Sequence, residues 1–131
     1  MKKLFVIFGI ALFASMLFAG NAFAKVQPSA KITVSYALRS DNHALEISFG
    51  QLQNATSVHY EVTYTGDKVA QGAIGDLNLH GQSTQSAEVV FGTCSQGVCR
   101  YYTKVKDLKL KVTAVLTNGK NFHQNDKIDV K

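Results

Sequence analysis

The sequence predicts an all-β protein, an antiparallel sandwich of about seven short strands. Three observations predict it. Beyond residue 24, apolar residues recur at every second position, and no segment there carries a helical period. Polar and glycine-rich clusters break the alternation at the spacing of hairpin turns. The length leaves room for one domain and a modest core.

Residues 1–24 read as a secretory signal peptide. Lys2 and Lys3 make a positive start, residues 4–18 are continuously apolar, and Ala22-Phe23-Ala24 is a small-x-small cleavage site. Cleavage is expected before Lys25. The apolar run is shorter than the ~20 residues that span a bilayer core, so no stable membrane anchor is expected after cleavage. No cysteine follows the site to carry a lipid, and the short Lys-Lys leader has a bacterial look. Residues 25–131 form the β-sandwich domain, which is expected to be secreted to the cell exterior or the periplasm. The leader carries two of the five net positive charges, leaving +3. That mild excess is far from the clustered basicity of a nucleic-acid binder.

Each element follows from the pattern. In residues 31–38, Ile32, Val34, Tyr36 and Leu38 share one side. After the turn cluster Ser40-Asp41-Asn42-His43, the apolar set is Leu45, Ile47 and Phe49. Residues 50–57 read as polar loop; Asn54-Ala55-Thr56 fits a glycosylation acceptor but reads as a turn in a bacterial protein. Val58, Tyr60, Val62 and Tyr64 then point inward, before a hairpin turn at Thr65-Gly66-Asp67-Lys68. Gly72 and Gly75 predict only a short edge strand and loop in residues 69–79. Ala87, Val89 and Phe91 begin another strand, and residues 92–102 are a loop holding both cysteines. Leu108, Leu110, Val112, Ala114 and Leu116 form a long inward set. Asn118-Gly119 predicts a type I′ turn. Phe122, Ile128 and Val130 close the domain.

Leu45-x-Ile47-x-Phe49, Tyr60-x-Val62-x-Tyr64 and Leu108-x-Leu110-x-Val112-x-Ala114 together resemble the strand pattern of fibronectin type III domains, which are immunoglobulin-like sandwiches. The resemblance covers most of residues 30–131. Phe49 stands where that family usually has Trp, and Leu108 where it usually has the tyrosine-corner residue. The run from Phe91 through Cys94 and Cys99 to Tyr101 resembles a segment of small secreted bacterial proteins, with no activity attached. By analogy, the resemblance implies extracellular protein or glycan partners.

Cys94 and Cys99 are the only cysteines, and an even count in an exported domain predicts a disulfide. Their spacing is not that of a Cys-x-x-Cys redox pair, and no βαβ pattern surrounds them. The bond would clamp a loop carrying Arg100, Tyr101 and Tyr102, a cation and two aromatics suited to binding. Lys109 and Lys111, one face of a basic run with Lys104 and Lys106, are a secondary candidate for contact with an anionic polymer. The four histidines, His43, His59, His80 and His123, have no metal-pair spacing, so no metal or cofactor is expected. There is no Gly-x-Ser-x-Gly turn, and a disulfide would remove any Cys-His nucleophile.

The expected function is therefore a non-enzymatic binding or adhesion module of the cell exterior, without catalytic residues and without nucleic-acid partners. The alternative is a structural subunit that self-associates by sheet-edge pairing through residues 69–79. A protease inhibitor using the clamped loop ranks behind both.

Overall fold

The alternation seen in the sequence becomes two facing sheets. A computed structural model describes residues 30–131; the expected leader and its cleavage site lie outside the described residues. The strands are β1 (Thr33–Leu38), β2 (Ala44–Gly50), β3 (Ala55–Gly66), β4 (Val69–Asp76), β5 (Gln85–Val90), β6 (Gly92–Ser95), β7 (Val98–Tyr101), β8 (Val105–Leu116) and β9 (Asn121–Ile128). One sheet has the order β1-β2-β5, the other β4-β3-β8-β9, and β6-β7 is a separate hairpin. Every pairing is antiparallel. The described residues thus form an all-β sandwich of seven strands, with a two-stranded hairpin inserted where β5 leads to β8.

The core lies between the sheets, where the period of two puts the apolar residues. Leu45, Ile47, Phe49 and Val89 face Val58, Val62, Tyr64, Leu108, Leu110 and Val112, all buried. Burying each large apolar side chain stabilises the fold by roughly 1.5–3 kcal/mol. Phe91 is fully buried and meets the Tyr64 ring at 4.9 Å between centroids. Burial pushes the Tyr64 hydroxyl above its ordinary pKa.

Four local expectations need correction. Residues 50–57 are not simply polar loop: Leu52 opens a 3-10 turn and is buried, capping one end of the core, and β3 already begins at Ala55. The side-chain amide nitrogen of Asn54 donates to the Lys31 carbonyl at 2.8 Å, so this residue ties the turn to the segment leading into β1. Strand β4 runs a full eight residues despite its glycines. The ring of Tyr60 lies over Gly75, its cross-strand partner, where a β-carbon would sit 2.4 Å from the ring. The aromatic covers the bare backbone and keeps the ladder paired. The Asn118-Gly119 turn is not type I′. Only Gly119 of that loop has positive φ, and the Asn118 side-chain oxygen accepts the Lys120 N–H at 3.0 Å. Leu116 and Lys120 close a three-residue loop of type I followed by a left-handed glycine. Finally, residues 92–102 are mostly the β6–β7 hairpin rather than loop.

Candidate functional site

The hairpin is built by its turn and its clamp. Gln96 and Gly97 both have positive φ, 49° and 79°, as a two-residue type I′ turn requires. This turn makes Cys94 and Cys99 direct cross-strand partners, with Cα atoms 4.0 Å apart, and the disulfide between them is formed. Among the described residues no free cysteine remains. No hairpin residue joins the buried core. Val98, beside the turn, is 68% exposed, and Arg100 is exposed with no salt bridge.

The root of the hairpin is braced instead. Tyr101 stacks on His43 with ring centroids 4.2 Å apart and planes at 15°. The Arg39 guanidinium lies 5.8 Å from the Tyr101 centroid. Its Nε and Nη2 donate to Asp41, each at 2.9 Å at closest, and Nη1 donates to Glu88 at 2.7 Å. The β1–β2 turn, β5 and β7 are thereby joined through exposed polar groups. The Arg39 hydrogen bonds, helped by the His43 N–H, hold the Asp41 carboxyl down at about 2.

Tyr102 has turned away from the hairpin surface. It is half-buried, its ring lies over Gly66, and it meets Tyr64 at 6.1 Å between centroids. Its N–H donates to the Phe91 carbonyl at 2.9 Å. Asp67, in the β3–β4 turn, accepts from the Thr103 hydroxyl at 2.8 Å and from the N–H groups of Thr103 and Lys104 at 2.9 and 2.8 Å. These bonds lower its pKa, the Thr103 hydroxyl most. The three residues expected to act together therefore part company: Arg100 is free, Tyr101 braces the turn, and Tyr102 packs against the sandwich.

Lys109 and Lys111 lie elsewhere, on the outer face of the four-stranded sheet. They border a shallow groove of about 300 Å³ with Glu61, Thr63, Asn125 and Lys127, and no hairpin residue lines it. Lys109 is cross-strand partner to Thr63 on one side and Lys127 on the other; Lys111 lies between Glu61 and Asn125. Sequence reasoning missed Lys127, Arg39, His43 and Asp67 as parts of these arrangements. His59 meets Asp76, its cross-strand partner on β4, with Nδ1 2.7 Å from Oδ1. No cluster of three potential metal ligands occurs among the described residues, and none of their helices is long and apolar enough to cross a membrane. Comparison with family models, curated proteins and solved structures gives no match.

Proposed function

We propose that this protein is an exported, non-enzymatic binding module, with the tip of the β6–β7 hairpin as its contact element. One observation carries the reading: a disulfide clamps a hairpin that adds nothing to the core. A fixed protrusion loses less ordering entropy when it binds. Exposed Val98 and Arg100 supply an apolar contact and a cation beside the turn. The disulfide also fits an oxidising compartment, in agreement with the leader. Strand order favours the fibronectin type III-like form. Constant-type immunoglobulin domains place the fourth strand on the first sheet, whereas β4 joins β3. The partners that this implies are extracellular proteins or glycans.

The test is capture of envelope and medium components by the immobilised exported protein, beside a Val98→Ala/Arg100→Ala version. Capture lost in the double variant supports the hairpin tip. Equal capture by both moves the site off the hairpin. Alanine at Tyr101 or Tyr102 is a poor probe, since it removes the stack on His43 or the ring over Gly66.

A second reading, edge-to-edge self-assembly, draws on β4. This edge strand has no Lys, Arg or Pro, and exposes Val69 at 57% and Ile74 at 73%. Sedimentation over a concentration series decides it; a monomer throughout removes it.

A further inference from the structure

We propose that the outer face of the four-stranded sheet is a second binding site, for an acidic glycan polymer lying across Lys109, Lys111 and Lys127. This site does not depend on the hairpin carrying a ligand. Pairing of β8 with β9 sets Lys109 directly opposite Lys127. Like charges directly opposite each other across a sheet are destabilising. Lys111 is two residues along the same strand and on the same face, about 7 Å from Lys109. Beyond the β8 irregularity at Asp107, Lys106 opposes Thr65 and extends the row.

No lysine among the described residues forms a salt bridge, so the ammonium groups of this face are not held in ion pairs. Glu61, opposite Lys111, is half-buried, while the lysines are exposed. Asp126 also borders the groove, but it pairs with buried Leu110 and accepts the Gln124 amide at 2.6 Å. Thr63 and Asn125 add a hydroxyl and an amide as donors between the ammonium groups.

Two lysines set face to face across a ladder break a local rule, as functional or strained positions do. The lysines follow one another along and across the ladder, Lys109 opposite Lys127 and Lys111 the next outward residue, rather than ringing one point. Such an array suits an extended chain with repeated acidic groups better than a single small anion, because each further contact becomes intramolecular. On the opposite outer face Glu46 and Glu88 are cross-strand partners on β2 and β5, and Glu88 is paired with Arg39.

The experiment titrates the exported protein with polygalacturonate, dextran sulfate and neutral dextran, at low salt and at ~0.15 M salt. Both acidic polymers are expected to bind, more weakly as salt rises, and neutral dextran not at all. Lys109→Gln with Lys127→Gln should weaken binding at least about tenfold. The same double variant should melt no lower than the wild type, since it relieves a repulsion. Lys68→Gln with Lys120→Gln removes equal charge elsewhere and should change affinity by less than about twofold. Val98→Ala/Arg100→Ala should leave polymer binding intact, which separates this site from the hairpin. Failure to bind either acidic polymer overturns the proposal, as does equal weakening by the two lysine pairs. A clearly lower melting temperature for the Lys109/Lys127 variant would make the face structural and overturn it too. So would salt-sensitive self-association of the wild type that this variant loses, which would assign the face to the acidic side of a second copy.

Discussion

Single residues decide how the hairpin and its neighbouring turn are held. A β-carbon on Gly92 would lie 2.0 Å from the Arg100 carbonyl oxygen and 2.9 Å from the Tyr101 Cα. Both neighbours are backbone, so no side-chain rotation relieves the clash. Gly97 has open space around it and only its positive φ to lose. Gly92→Ala should therefore lower the melting temperature clearly more than Gly97→Ala, whose cost is about 1–2 kcal/mol at most; equal melting temperatures would show that the hairpin root is loose. Asp67 carries a pH dependence. Its folded pKa is lowered by Thr103 and Lys104, so its stabilisation is fully present above about pH 4, its unfolded value, and is lost as pH falls through the lowered one. Thermal melts across that acid range should fall less steeply for Asp67→Asn than for the wild type. Parallel slopes would remove Asp67 from the acid response. Neither effect was legible locally. Gly92 reads as a loop residue, and the groups that hold Asp67 lie 36 and 37 positions away.

Among the elements, the long strands were legible and the short hairpin was not. Strands β2, β3 and β8 bury one face each, so burial repeats along them with the period of two. Strands β6 and β7 are four residues long and bury no face, so no apolar alternation marks them. Only the paired cysteines hinted at structure there. Loss of the disulfide should act on this element alone. In the loop-entropy account a ring this short contributes about 2 kcal/mol, and an unclamped hairpin can fray without opening the core. Cys94→Ser with Cys99→Ser should leave the sandwich folded. Hydrogen exchange should show protection lost within residues 92–102 and kept in β3 and β8. Loss of protection in β3 or β8 would mean that the hairpin is part of the cooperative core.

For the whole molecule, the sheet edges are unequally protected. Strand β9 turns Asp126 inward and Lys127 outward, a way of discouraging edge pairing. Strand β4 has no such protection over its eight residues, apart from Asp76 at its end. If this edge mediates assembly, Ile74→Lys should convert a concentration-dependent oligomer to monomer in sedimentation. An oligomer that persists in the variant would place the contact elsewhere. By itself the sequence determined the fold class, the inward residues of the long strands and the pairing of its two cysteines. Those properties are local, since they follow from a period of two and from the count and spacing of one residue type. The tertiary structure alone decided which residues share a surface. Strand register set Lys127 opposite Lys109, while packing of the β1–β2 turn against β7 drew Tyr101 onto His43 and separated it from Tyr102. Partners across strands are remote in the chain, and no local pattern encodes them.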